Sequence, residues 1–234
     1  MNTPLNKRKR GLSIIVPVWN EQGSIAKLIE QINKTLTSHI HYEIIMIDDH
    51  STDNSKSVAC EKGKKYPVRV YDKKGQRGKA QSIFEGLQHV HYNTIAMIDA
   101  DLQYPPSALL PMVRMVESGK ADIVVANRKA QETNALRQIV HTACRITLGK
   151  ILHDLDCDIQ SGLKVFSSEA ASVIHSPQSN WAFDLGFLVN ARDAGYTIGQ
   201  VDIVFTKRES DDSKINIIEG TWQIASSAIR LKFK

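Results

Sequence analysis

Short unbroken apolar runs alternate along this chain with segments whose apolar residues recur every three or four positions. Leu12 to Val18 is the first run, β-branched and bounded by polar residues; such a run reads as a buried strand. The polar loop Trp19-Asn20-Glu21-Gln22-Gly23-Ser24 follows. Then Ile25, Leu28, Ile29, Ile32 and Leu36 fall on one face of a predicted helix. The alternation continues with a strand over Tyr42 to Ile47, a helix to about Lys64 and a strand over Val68 to Tyr71. A loop from Lys73 to Gly78 leads to a helix carrying Ile83, Phe84, Leu87 and Val90. Thr94 to Ile98 predicts a fourth strand, Ala108 to Glu117 a helix and Asp122 to Ala126 a fifth strand.

Repeated β-α-β order implies an α/β domain with a mostly parallel open sheet and helices on both faces. Loops after parallel strands open on one edge, where such sheets bind ligands. Asn20, Asp48, Asp49, Asp99 and Asp101 all follow predicted strands and converge on that edge. Asp99 and Asp101 are the most telling. Two carboxylates one residue apart suit a hard divalent cation, Mg²⁺ or Mn²⁺, which takes one or two carboxylates plus substrate phosphates. An acidic turn ahead of Pro105-Pro106 is the plainer alternative.

The second part of the chain is patterned differently. Ala135 to Leu152 predicts a basic helix with Arg137, Arg145 and Lys150. Gly162 to Phe166 predicts a short strand, Phe183 to Asp193 a helix and Thr197 to Thr206 a longer strand. Thr221 to Phe233 closes the chain as an amphipathic helix with Trp222, Ala225, Ile229 and Phe233 in register. No Pro-, Gly- or Ser-rich linker divides the 234 residues, so one domain is expected, flanked by a basic tail over residues 1–10 and the closing helix over 221–234.

Composition changes the picture only slightly. The net charge is +5 and the pI about 9.0, which suits an anionic partner. No aromatic-interleaved basic stripe marks a nucleic-acid binder. Cys60, Cys144 and Cys157 show neither zinc nor disulfide spacing, so a reduced, cytoplasmic setting is expected. No apolar stretch approaches the ~18 residues of a membrane span. His39-x-His41 and His89-x-His91 read as surface histidines. Gly75 to Ala80 lacks P-loop spacing, and no G-x-G-x-x-G follows the first strand. A nucleotide site here must rely on carboxylates and a metal.

Several segments, taken together, resemble inverting family 2 glycosyltransferases of the GT-A fold. They are Ile15 to Glu21, Ile47 to Asp53, Gly75 to Ala80, Asp99 to Pro106, Ala126 to Arg128, Asp158 to Lys164 and Arg208 to Lys214. The similarity is greatest to the branch of dolichol-phosphate mannosyltransferases and polyprenyl-phosphate glycosyltransferases. It implies a GT-A domain over residues 11–220, with a nucleotide-sugar half at 11–128 and an acceptor half at 129–220.

The resemblance also implies roles. Pro17, Asn20 and Glu21 line the nucleoside pocket, and Asp48 or Asp49 binds base or ribose. Lys79 touches the donor diphosphate. Asp99 and Ala100 face the ribose and sugar, and Asp101 holds the metal with Asp99 and Gln103. Arg128, Arg137, Lys164, Arg208 and Lys214 are the cations for an acceptor phosphate, with Arg128 and Asp158 catalytic. Asp158 is read as a base or an orienting carboxylate. The implied reaction moves a sugar from a GDP- or UDP-sugar to a lipid phosphate, with a soluble or cell-envelope glycan as the alternative acceptor. Peripheral contact with an anionic cytoplasmic membrane face, and a homo-oligomer, are compatible with this reading.

Overall fold

The computed structural model describes residues 9–131, 145–175, 183–206, 225–226 and 228–232. The elements are β1 (Lys9–Val18), α1 (Ile25–Leu36), β2 (Tyr42–Asp48), α2 (Ser55–Gly63), β3 (Val68–Asp72) and α3 (Lys79–Gly86). They continue as β4 (Tyr92–Met97), α4 (Leu109–Glu117), β5 (Ile123–Gln131), a π-helix (Arg145–Ile151), β6 (Lys164–Ser167), α5 (Phe183–Asp193) and β7 (Ile198–Phe205). Short 3₁₀ turns extend α3 (Leu87–His89) and precede α4 (Pro106–Ala108).

Among the described residues the strands form one seven-stranded sheet, ordered β3-β2-β1-β4-β6-β5-β7. Every pairing is parallel except those of β6, which runs antiparallel to both β4 and β5. Side chains alternate across the strands. Ile14, Val16, Ile44 and Met46 therefore meet α1 and α4 on one face, while Ile15, Ile45 and Ile47 meet α3 and α5 on the other. The helices do lie on both faces, and the sheet is mostly parallel, as the periodicity implies.

Some boundaries move. β1 begins at Lys9, so the basic run is not wholly a tail. Lys9 N–H donates to His91 O at 3.3 Å, and Arg10 pairs with Glu117 at 3.1 Å. Gly11 permits this with φ +150°, since a Cβ there would lie 2.4 Å from the Tyr92 ring. β5 runs on to Gln131, with its register against β7 shifting between Arg128 and Ala130. Of the basic helix expected from Ala135, residues 145–151 form the π-helix, and Arg137 lies outside the described residues. His91 is exposed, but its Nδ1 sits 3.1 Å from Glu43 Oε2; His89 is half-buried and stacks on Tyr71 at 3.7 Å.

The closing helix shows which of its faces meets the core. Residues 225–226 and 228–232 are helical, but Ala228 and Leu231 face the core while Ile229 is 53% exposed. The stripe through Ala225 and Ile229 is not the buried one. Ala228 is fixed by His153, a buried side chain whose Nε2 lies 2.9 Å from Ala228 O. Leu231 lies against α5 at Gly186, where there is no side chain in the way. Trp222 and Phe233 lie outside the described residues, as do Trp181 and Cys144. No helix among the described residues is long and apolar enough to cross a membrane.

Candidate active site at the carboxyl edge of the sheet

The sheet opens between β1 and β4. Their registered pairs end at Ile15 and Met97, and Pro17, two residues on, has no N–H to continue the ladder. The strand order runs outward in both directions from this point, the place where such sheets bind ligands. Three non-glycine residues at strand ends adopt left-handed backbone: Asn20 (φ 54°), His50 (φ 58°) and Leu102 (φ 63°). Such conformations are costly and persist where surrounding contacts impose them.

The contacts around Asn20 and the loop after β2 are explicit. Asn20 N–H donates to Ser51 Oγ at 3.1 Å, and Thr52 N–H donates to Asn20 Oδ1 at 2.8 Å. Glu21 N–H donates to Ser55 Oγ at 2.7 Å, and Glu21 Oε2 accepts from Ser24 Oγ at 3.2 Å. The first two strand-end loops are thereby tied into one wall. Trp19 stands at its rim, 39% exposed, with the Arg77 guanidinium 5.9 Å over its ring.

The two aspartates at the end of β2 differ sharply. Asp49 Oδ1 accepts from the fully buried Lys73 Nζ at 2.8 Å, and its Oδ2 accepts from Gly78 N–H at 2.8 Å. Both oxygens are engaged in holding the 73–78 loop. Asp48 Oδ2 accepts from Ser51 N–H at 3.2 Å, while its buried Oδ1 has no hydrogen-bond partner. A buried, unsatisfied carboxylate oxygen is costly unless a ligand completes it.

After β4 the chain turns through Asp99 to Tyr104. Asp99 Oδ1 lies 2.6 Å from Lys79 Nζ, at the start of α3. Its other oxygen approaches Gly162 so closely that a Cβ there would lie 1.9 Å from Oδ2. Gly162 N–H donates to the buried Tyr104 hydroxyl at 2.7 Å, which fixes that approach. Burial is the main cause that pushes the Tyr104 phenol well above its usual range, so it stays neutral. Asp101 Oδ1 accepts from Gln103 N–H at 3.1 Å. Gln103 is braced to the end of β7: its Nε2 donates to Thr206 O at 3.2 Å, and its carbonyl accepts from Thr206 N–H at 3.2 Å. Ala100, expected in the donor set, packs its methyl into the core.

Arg128, on β5, reaches across to Asp158. Nε lies 2.5 Å from Oδ2 and Nη2 3.0 Å from Oδ1, a bidentate pair with Asp158 fully buried. The guanidinium also sits 5.1 Å over Phe205, which packs edge-on against Tyr104. Lys164 departs from expectation. It is fully buried and donates to Ser161 O and, at 2.6 Å, to Asp184 Oδ1. It anchors α5 and is not an open cation for an acceptor. Arg137, Arg208 and Lys214 lie outside the described residues.

The profile of the family described as glycosyl transferase family 2 matches residues 13–162, more than half of the chain and all of the edge from β1 to Gly162. The chain belongs to glycosyltransferase family 2. Among family 2 relatives, dolichol-phosphate mannosyltransferase of Pyrococcus furiosus is 26% identical over 174 residues, covering 72% of this chain and 49% of that protein. Dodecaprenyl-phosphate galacturonate synthase of Rhizobium johnstonii is 29% identical, covering 64% of this chain and 46% of that one. Dolichyl-phosphate beta-glucosyltransferase of Dictyostelium discoideum is 26% identical, covering 95% and 74% respectively. The chain thus spans about half the length of the first two. Glucosyl-3-phosphoglycerate synthase of Mycobacterium tuberculosis, solved with Mn²⁺ and UDP-glucose, shares the GT-A fold. Its TM-score is 0.76 at 18% identity, over 96% of this chain and 79% of that one.

The family 2 edge fits a divalent cation only in part. No three His, Cys, Asp or Glu side chains cluster as a ready cage among the described residues. Two carboxylates on one tight turn, with a side-chain amide beside them, suit a hard ion that completes its shell with phosphate oxygens and water. Sequence reading missed four contributors: Lys73, Tyr104, Gly162 and Asp184. Each owes its role to a contact remote in sequence. Only Asp184 carries a local sign, a carboxylate in the first turn of a helix beside an aromatic-rich segment.

Proposed function

We propose that this family 2 chain is a metal-dependent inverting glycosyltransferase that moves a sugar from a nucleotide-sugar to a polyprenyl-type lipid phosphate. One observation carries the reading: a two-carboxylate turn, a guanidinium held bidentately and a wall of strand-end loops share one sheet edge. The relatives named above, which are lipid-phosphate sugar transferases by name, support the acceptor class. The Mn²⁺ and UDP-glucose complex of the structural neighbour supports the donor and metal class.

In this reading the nucleoside lies against Pro17, Asn20 and Glu21, and an N–H or O–H of the base or ribose completes Asp48 Oδ1. Asp99, Asp101 and Gln103 hold the divalent cation. That ion, when bound, neutralises the leaving diphosphate and orients the donor. Arg128 binds the acceptor phosphate, its fork aimed by Asp158 and its plane supported by Phe205. A phosphate monoester is already largely ionised at neutral pH. No strong base is then needed, and Asp158, whose oxygens accept from Arg128 and Gln160 N–H, serves as the orienting carboxylate. The phosphate oxygen forms its bond to the anomeric carbon as the carbon–diphosphate bond breaks on the opposite face. The nucleoside diphosphate leaves with that electron pair. Positioning the two in line is the main work of the site.

The test is transfer from radiolabelled UDP- and GDP-sugars to a polyprenyl phosphate with Mn²⁺, scored as label extracted into organic solvent. One donor should give product, and Asp101→Ala should abolish it while leaving the thermal melt intact. Label passing only to water-soluble glycans would transfer the acceptor to the alternative class. Full activity of Asp101→Ala in EDTA would end the metal assignment.

A further inference from the structure

Lys79 occupies one carboxylate oxygen of Asp99. Oδ1 carries the Lys79 ammonium at 2.6 Å, while Oδ2 approaches Gly162 so closely that any side chain there would collide with it. Behind Lys79 stands Asp184, itself paired with the buried Lys164 at 2.6 Å. Lys164, Asp184, Lys79 and Asp99 thus alternate in sign from the interior to the metal turn.

An ammonium and a divalent cation cannot both sit on Asp99 Oδ1. Unlike the guanidinium of Arg128, a lysine ammonium is a point charge on a flexible four-carbon stem. The Lys79 side chain is a third exposed and begins at the first residue of α3, facing the cleft.

We propose that Lys79 is an exchangeable counter-ion: it holds Asp99 in the empty site and passes to the donor diphosphate when the divalent cation takes its place. The inference rests on the metal and nucleotide-sugar reading above and adds a binding order to it. Free metal is disfavoured on the turn, because it must displace an ammonium from its closest carboxylate partner. A diphosphate supplies the new partner, so metal and nucleotide bind together. Such coupling is reciprocal and amounts to between about 5- and 150-fold in known cases.

Mn²⁺ titrations followed by electron paramagnetic resonance test this on the full chain, alone and with UDP, GDP, CDP or ADP. Wild type should bind Mn²⁺ weakly alone and at least about tenfold more tightly with one nucleotide. Lys79→Met should bind Mn²⁺ alone about tenfold more tightly than wild type and gain less from the nucleotide. Lys79→Arg keeps the charge and should resemble wild type without nucleotide. A melting curve confirms that each variant is folded. Lys79→Met that matches wild type in both conditions overturns the counter-ion role and leaves the metal site standing. Wild type that takes no Mn²⁺ with any of the four nucleotides overturns the metal reading itself, and the proposal with it.

Discussion

Arg128 shows what a single residue contributes to this edge. Its fork matches Asp158 at two points, and its face lies on Phe205, so charge, geometry and packing coincide in one side chain. Lysine offers the charge without the fork. We expect Arg128→Lys to lower kcat/KM by about ten- to a hundredfold, some 1.4–2.8 kcal/mol of transition-state stabilisation. Steady-state kinetics at saturating donor will show it, with the loss concentrated in the acceptor term. Unchanged kinetics with every acceptor would make Arg128 a purely structural clamp. The buried Asp158 would keep one partner, so the stability loss should stay within about 1–3 kcal/mol.

At the scale of elements, the closing helix is held by a titratable side chain. His153 Nε2–H faces Ala228 O, and its buried Nδ1 has no partner. Burial is the main cause that depresses the His153 pKa, with Arg192 and Lys232 adding to it and the bond to Ala228 opposing. The unfolded chain therefore binds the proton more readily than the folded one, so stability falls as pH drops below the free histidine value of about 6.5. The neutral ring is the stable one, and its contribution is complete above that pH. Amide exchange over residues 225–232, corrected for intrinsic rate, should accelerate from pH 7.5 to pH 5.5, and His153→Phe should remove the dependence. Equal protection at both pH values would contradict the expectation. This same region marks what the sequence could not tell. The 3.6-residue pattern locates the helix, but Ala225 with Ile229 and Ala228 with Leu231 are both plausible inner faces. Only the approach of α5 at Gly186 and of His153 decides between them.

The whole molecule repeats that lesson. The order from β1 to α4 is legible because one strand period and one helix period alternate with clear turn residues between them. The Asp99-Ala100-Asp101 turn is legible because its chemistry is local. Asp48 and Asp49, by contrast, are adjacent and chemically identical. Lys73 and Gly78, more than twenty residues later, engage both oxygens of Asp49, while Asp48 keeps one oxygen without a hydrogen-bond partner. The buried ladder through Lys164 and Asp184 is equally invisible, because neither residue lies near its partners in the chain. Outward-facing groups have their own expectation. Ile229, Arg230 and Lys232 leave the closing helix exposed, and each basic residue near an anionic leaflet contributes about 1 kcal/mol. We propose that this face rests on the membrane that holds the acceptor. The protein should co-float with anionic liposomes at low salt and less with neutral ones. Arg230→Glu with Lys232→Glu should weaken flotation while Ala228 and Leu231 stay packed. Flotation that ignores both changes would assign the face to another partner.

The reversed strand β6 has a consequence for how the molecule is assembled. Within the sheet, β5 reaches the rest of the donor half only through β6, which is contributed more than thirty residues later. The polypeptide up to Gln131 therefore emerges with its fifth strand unpaired on the β4 side, an open edge of the kind that invites misassociation. Closure waits for a late segment to slot between two early ones, a long loop to shut before its contacts repay it. A fragment ending at residue 131 should aggregate or stay partly unfolded, whereas one that runs through Phe205 should form the complete sheet. Light scattering and circular dichroism of the two fragments distinguish these outcomes. The span proposed as the nucleotide-sugar half is therefore not expected to fold on its own.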